Sequence, residues 1–355
     1  MEKVLISNTP ENGSFTRKSF DGADILKFIM SFLVVATHTG LLSGALFPVT
    51  RLAVPIFFVL SAYFFYSKAN KLSGKQAASY FKGWSAHLLK MYAFWFVLLL
   101  PLTVYIGKYY ELSFFSAILK MLKNLLFSST FQSSWFLSAL LIGNCIVFSL
   151  SQKKVKNIFL IFLGAAAFAL ALISSSYTFL IRESETLYNL YLSFKDIFSL
   201  ACRNFIVSII YIVIGKILSE TNITRLSVRL CAVLSFSSVL LLIGESVALK
   251  AFEVKVYYDD CLLLLPVCSL FITAWALNSK IKFKYAHTLR KMSTIVYCLH
   301  MPGFMVVGKA MKLAEIPDYK NILVFIFTLL ISYLGCFVIF RLQKIKPLSF
   351  LRFSY

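Results

Sequence analysis

Apolar residues along this chain come in long runs separated by short polar stretches, not in the alternation of a half-buried strand. "NIFLIFLGAAAFALALISSSYTFLI" and "NILVFIFTLLISYLGCFVIF" each reach or pass the ~20 residues needed to span a bilayer. Ten such runs predict transmembrane helices, at approximately Ile25–Phe47, Leu52–Tyr66, His87–Ile106, Trp135–Leu150, Ile158–Ser176, Asn204–Leu218, Leu230–Leu249, Cys261–Leu277, Ser293–Gly308 and Asn321–Phe340. The second and fourth are short for the purpose. The polar stretches around 67–86, 107–134 and 177–203 are too short for a soluble domain. Pieces within them, such as "FFSAILKMLKNLLF", are amphipathic in the manner of helices lying along a membrane surface. The expected fold is an all-α integral membrane bundle of about ten helices. A tail covers residues 1–23, a single transmembrane domain 24–341 and a second tail 342–355.

Composition agrees: 59% of the 355 residues are hydrophobic and 14% charged, with a mean hydropathy of +0.80. The net charge of +21 does not point to nucleic acid, because the Lys and Arg residues are dispersed through short loops. With the N-terminus inside, twenty-three of them fall on cytoplasmic segments and twelve on outer loops, and Lys27 completes the 36. That bias predicts two cytoplasmic termini and an even number of spans; the expected location is the plasma membrane. "MEKVLISNTPENGSFTRKSF" lacks the apolar core and small-residue cleavage site of a signal peptide. The seven cysteines, at 145, 202, 231, 261, 268, 298 and 336, show no metal-ligand spacing and read as small packing residues. No metal or permanently bound cofactor is expected.

The chemistry concentrates where polar groups enter apolar runs. In "DILKFIMSFLVVATH", Lys27 and His38 are eleven residues apart, almost three helical turns, so both project from one face roughly 16 Å apart. Asp24 and Ser31 fall near the same line, and such a stripe faces a bundle interior or a cavity. It has two readings. Lys27 pairs with Asp24 and snorkels while His38 bonds a neighbouring helix, or His38 moves protons near neutral pH. Arg51, in "RLAVPIFFVLSAYFF", sets a cation at the outer mouth or caps a turn. Ser61, on the same run, has as its plain role a bond to a backbone carbonyl. Trp135, in "SSWFLSALL", is an interfacial anchor or a substrate platform. Arg203 and Asn204 open the sixth run. His300 stands just before Pro302, which would loosen the helix and free a carbonyl for it. Glu245 is a further charge within a span, to be paired with Lys250 or Arg203 or used in function.

Taken in order, "DILKFIMSFLVVATH", "RLAVPIFFVLSAYFF", "SSWFLSALL" and "IVYCLH" resemble the acyltransferase-3 family of multi-pass membrane O-acyltransferases over nearly the whole chain. Lys27 and His38 hold the places of that family's basic residue and histidine, although arginine is usual at the first. The lysine form, with "CRNFIVSIIYIVIG", is closest to the membrane half of membrane-bound serine/alanine racemases, with no racemase domain expected after Tyr355. Two departures affect donor binding. Ser61-Ala62-Tyr63 replaces Ser-Gly-aromatic, and Lys82, His87 and Lys90 stand where arginines are common, without the bidentate fork that arginine offers a phosphate.

The resemblance implies transfer of an acyl group, commonly acetyl, from cytosolic acyl-coenzyme A to a hydroxyl of an extracytoplasmic glycan or lipid-linked saccharide. His38 would be general base or transient acyl carrier. Lys27 would bind the donor, and Arg51 would stabilise the oxyanion. Arg203, Trp135 and His300 would be further substrate contacts. The expected partners are membrane lipid, acyl-CoA and the acceptor, with no nucleic acid. Two alternatives stay open: a transporter or binding module for a small amino acid such as serine, and a structural partner in an envelope-polymer export complex.

Overall fold

A computed structural model describes residues 20–131, 134–221, 226–251, 260–316 and 320–355, with only the backbone of 320 and 321. Residues 1–19 of the predicted N-terminal tail, and Arg225 and Lys255 of the charge comparison, lie outside the described residues.

Helix α1, Asp21–Thr39, opens with Asp21 and Asp24 in its first turn, where carboxylates complement the helix dipole. It stops well short of Phe47, the predicted end. Gly40 adopts a left-handed conformation (φ 68°) and its N–H returns to Ala36 O at 3.1 Å, a backbone stop that side-chain hydropathy does not register. His38 therefore sits in the last turn of α1 and not deep within a longer helix. The chain then passes through 3₁₀ turns and the single turn Phe47–Thr50 before entering α2, Ala53–Ala69.

Helix α3, Gly74–Ile106, runs for 33 residues, on the order of 50 Å. It absorbs residues 74–86, expected to be a polar stretch outside the span. Nothing from Gly74 to His87 breaks a helix, and the polar residues there occupy one side of it. Helices α4, Phe114–Phe127, and α7, Glu185–Phe198, are separate amphipathic pieces, each N-capped by a serine and neither burying a residue. They touch through Phe127 and Phe198, 5.3 Å apart, and through Lys123, which donates to Asp196 O.

The remaining helices are α5 (Trp135–Gln152), α6 (Asn157–Ile173), α8 (Phe205–Glu220), α9 (Val228–Ala251), α10 (Leu265–Asn278), α11 (Ala286–Leu313) and α12 (Lys320–Leu342). Among the described residues, eight helical stretches are long and apolar enough to cross a membrane, and α6 and α10 are shorter apolar helices. Together they account for the ten expected spans. The second prediction, too short alone, belongs to a 26-residue stretch from Gly44 to Ala69.

Two packing units organise the bundle. In one, α8 lies against α2, α5 and α6. Gly215 makes the α2 contact possible: a Cβ there would stand 2.5 Å from Val59 O and 2.6 Å from Ala62 Cβ. Lys216, almost fully buried, donates to Glu220 Oε1 at 2.5 Å and Asn157 Oδ1 at 2.7 Å, while Asn157 Nδ2 donates to Glu220 Oε2 at 2.7 Å. In the other unit, α1, α11 and α12 pack together. The segment 346–354 folds back as 3₁₀ turns against α3, where Trp95 Nε1 donates to Ser354 O at 3.0 Å. Six of the seven cysteines are buried and all are unbridged.

Glu245 pairs with neither Lys250 nor Arg203. Its Oε1 accepts from Leu263 N (2.6 Å) and Tyr177 Oη (2.8 Å), and its Oε2 from Leu264 N (3.0 Å). Lys250 donates instead to Gly44 O at 3.1 Å. The carboxylate satisfies backbone donors where α10 begins, which water cannot do in an apolar setting. Glu245→Ala should therefore destabilise the protein by about 2 kcal/mol, a fall of roughly 5 °C in the melting temperature in detergent. Glu245→Gln should recover part of the loss. An unchanged melting temperature in the alanine variant would show that these donors find other partners.

Candidate functional site

The polar stripe on α1 opens into two cavities, each of about 430 Å³. Lys27 lines the first, together with His87 of α3 and His287, Arg290 and Lys291 of α11. The Lys27 ammonium stands over the Phe64 ring at 5.4 Å and is not the partner of Asp24, which pairs with Arg290 at 3.5 Å. Lys82 and Lys90 do not line this cavity, and Lys90 lies over the Phe353 ring at 5.5 Å. Ser61 does line it. Tyr355 also closes on it, with Lys291 Nζ 4.5 Å above its ring. Five basic side chains therefore surround a space with aromatic walls, a setting for a phosphate-bearing ligand with an apolar portion.

His38 lines the second cavity with Thr37, Arg51, Trp135, Arg203 and Asp260. Asp260 gathers the two arginines. Its Oδ1 accepts from Arg51 Nη1 at 2.9 Å, and its Oδ2 from Arg203 Nη2 and Nε at 2.5 Å each. The backbone N–H of Asp260 donates to Ser175 Oγ at 3.1 Å, and the Arg51 guanidinium stacks over Phe47 at 4.7 Å. Arg51 is thus more than a turn cap: it joins the entry to α2 with the segments before α8 and α10. Trp135, at the start of α5, is half-buried and faces the same space, its ring 6.0 Å from Phe58.

His300 lies behind His38, in neither cavity lining. It is fully buried, and the two imidazole rings are 5.1 Å apart. Its Nδ1–H donates to Tyr297 O at 2.6 Å, which leaves Nε2 as the acceptor nitrogen of the neutral ring. The carbonyl that His300 uses is not one released by Pro302. Helix α11 continues through Pro302 to Leu313, and a proline would release the carbonyl four residues before it, that of Cys298. His300 thus packs against the ring of His38 and lines neither cavity.

The structure brings His38, Arg51, Arg203 and Trp135 together and sets Lys27 apart from them. Asp260 is the residue that the spacing of motifs missed. Its signal was present in "YYDDCLLL", a pair of carboxylates directly before a span, on the side to which Arg51 and Arg203 are assigned. Tyr297 was also missed. It borders both cavities.

A family model described as an acyltransferase domain matches residues 20–341. Two curated relatives, both amino-acid racemases of Enterococcus faecalis, are similar to the chain. One is 27% identical over 263 residues, which is 70% of this chain and 35% of the relative. The other is 23% identical over 333 residues, 91% of this chain and 46% of the relative. The chain therefore spans less than half the length of either. No solved structure matches it.

The bridge through Asp260 can be measured without an activity assay. Arg51→Ala and Asp260→Ala each break a largely buried pair, and the double variant should be more stable than the sum of the single losses implies. A coupling of about 2 kcal/mol is expected from melting curves in detergent. Strictly additive losses would mean that the pair contributes nothing as a pair.

Proposed function

The chain belongs to the acyltransferase family whose model it matches, and from that premise we propose that it transfers an acyl group, commonly acetyl, across the membrane. The donor is acyl-CoA, a co-substrate in the Lys27 cavity, and the acceptor is a hydroxyl of a glycan or lipid-linked saccharide in the His38 cavity. The observation that carries this reading is the division of labour between the cavities. One is ringed by Lys27, His87, His287, Arg290 and Lys291, as a polyphosphate requires, and the other presents a histidine beside two fixed arginines. On this reading the Lys27 cavity faces the cytoplasm of a plasma membrane.

In the proposed step His38 takes the proton of the acceptor hydroxyl, and the oxygen attacks the thioester carbonyl carbon. Negative charge collects on the carbonyl oxygen, where Arg51, held in place by Asp260, opposes it. The C–S bond breaks as the C–O bond is completed, and the proton passes from His38 to the departing thiolate, giving the ester and free CoA. His300, against the ring of His38 and bonded to Tyr297 O, orients the base. Lys27 holds donor phosphate as a point charge. Trp135 and Arg203 contact the acceptor.

A second reading has its own observation. Two arginines and one carboxylate in the His38 cavity also suit the carboxylate and ammonium of a small amino acid, and the similar Enterococcus proteins are named amino-acid racemases. Uptake or binding of serine would be the activity in that case.

Membranes containing the wild type or His38→Ala, supplied with acetyl-labelled CoA, separate the two. Label should enter the glycan or lipid-linked saccharide fraction and fall at least ~100-fold in the variant, the usual scale for loss of a general base. Equal label in both would remove His38 from the chemistry. No label from well-expressed wild type, with serine uptake into proteoliposomes, would favour the second reading.

A further inference from the structure

Among the described residues, Tyr297 is the single one that borders both cavities. Phe57 and Phe136 line the Lys27 cavity only, and Phe58 and Trp135 the His38 cavity only. The rings between them form a closed set. Tyr297 meets Phe136 at 5.4 Å and Phe57 at 5.9 Å, both edge to face, and Phe136 meets Phe58 at 4.7 Å. Tyr297 is 5% exposed. The cavities lie toward opposite ends of α1, Lys27 bordering one and His38 the other, and each includes a partly exposed arginine, Arg290 (42%) in the first and Arg203 (46%) in the second.

The position along α11 is as telling as the contacts. Tyr297 lies two turns after Arg290, about 10 Å on, and one turn before His300. A thioester carbon held by its phosphates in the Lys27 cavity must come within about 3–3.5 Å of an acceptor oxygen beside His38. The ring of Tyr297 occupies the wall through which that approach has to be made. A tyrosine that only fills a core has packed neighbours on every side, whereas this one has open space on two. Its backbone is fixed independently of its ring, because Tyr297 O accepts from His300 Nδ1 at 2.6 Å. Its ring also lies 5.8 Å from that of His300, and opening the wall requires the Tyr297 ring to rotate while the helix keeps its place.

The geometry points to Tyr297 as the gate of the acyl passage, and to the space its ring vacates as the limit on acyl chain length. This rests on the acyl-transfer reading and adds a residue and a selectivity to it. A gap the size of one phenol ring beside Phe57 and Phe136, whose own rings meet at 6.0 Å, accommodates an acetyl group and disfavours chains of six carbons. The closed ring also keeps water of the second cavity from the thioester, so that hydrolysis without an acceptor is suppressed.

Two readouts on purified protein in liposomes test it, with Tyr297→Ala, the milder Tyr297→Leu and the conservative Tyr297→Phe, each shown to elute as a single species in detergent. The first needs no transfer activity. Proton leak, followed by an entrapped pH-sensitive dye, should rise about tenfold in Tyr297→Ala, less in Tyr297→Leu and not in Tyr297→Phe. The second is competition between acetyl-CoA and hexanoyl-CoA for transfer. The hexanoyl-to-acetyl ratio should rise at least about tenfold in Tyr297→Ala, since each methylene excluded from a pocket is worth about 10-fold or more. A folded Tyr297→Ala or Tyr297→Leu protein with wild-type leak and wild-type ratio would overturn the gate. Raised leak where the wild type transfers no acyl group from either donor would overturn the acyl-transfer reading, and the cargo assigned to the gate with it, while retaining Tyr297 as the partition. A raised leak with an unchanged ratio, in an active enzyme, would overturn the chain-length role alone.

Discussion

The ion pair between Asp24 and Arg290 holds the first turn of α1 against α11, and the two helices then run together to the ring contact between His38 and His300. A charge in a bilayer costs about 2.5–3.5 kcal/mol on insertion scales, so an unpaired Asp24 would oppose insertion of α1. Paired, it fixes which face of α1 meets α11. That face carries Lys27 and His38, and the facing side of α11 carries Arg290, Tyr297 and His300. Both cavities and the wall between them are thus consequences of one helix contact. A slip of α11 by one turn would exchange Tyr297 with a residue near His300 and merge or block the two spaces.

Carboxylates on the opposite side of the bundle perform a related task. Asp260 joins Arg51 to Arg203, and Glu245 satisfies N–H groups at the start of α10 while accepting from Tyr177. Each gathers donors from segments far apart in sequence, in a medium where a lost partner is not replaced by water. The loops on this side are consequently held by charge as well as by packing. Arg51 can be placed accurately beside His38 even though it stands between helices, where backbone freedom is greatest.

How much of this was legible in the chain depends on the range of the interaction. The ten apolar helices were readable, because length and apolarity alone decide whether a segment can span a bilayer. The end of α1 was not, since "TGLLSGALF" stays apolar past Gly40 and only a left-handed turn stops the helix. The start of α3 was missed for the opposite reason: polar residues on one side of an unbroken helix resemble a loop in a hydropathy count. Helical spacing correctly put Lys27 and His38 on one face. It could not divide that face between two cavities, because the dividing ring comes from Tyr297, 259 residues beyond His38 in the chain. Asp260 depends in the same way on two partners, one 209 and the other 57 residues away.

The charge balance of the two cavities gives the arrangement a direction. Around Lys27, the nearby carboxylate of Asp24 is already held by Arg290, leaving a surplus of positive charge close to aromatic, low-dielectric walls. Field lines in such a pocket are focused rather than screened, so a polyanion is drawn there from solution. Around His38 the two arginines face a shared carboxylate, and the surplus is smaller. A phosphate-bearing ligand therefore favours the first cavity over the second by electrostatics alone, before any shape is considered. On the acyl-transfer reading, the same asymmetry suits a lysine at position 27. A phosphate-bearing ligand held by several dispersed cations needs point charges, whereas the bidentate fork of an arginine would fix one phosphate in one place. The fixed arginines are found instead at the His38 end, where position, and not attraction, is the demand.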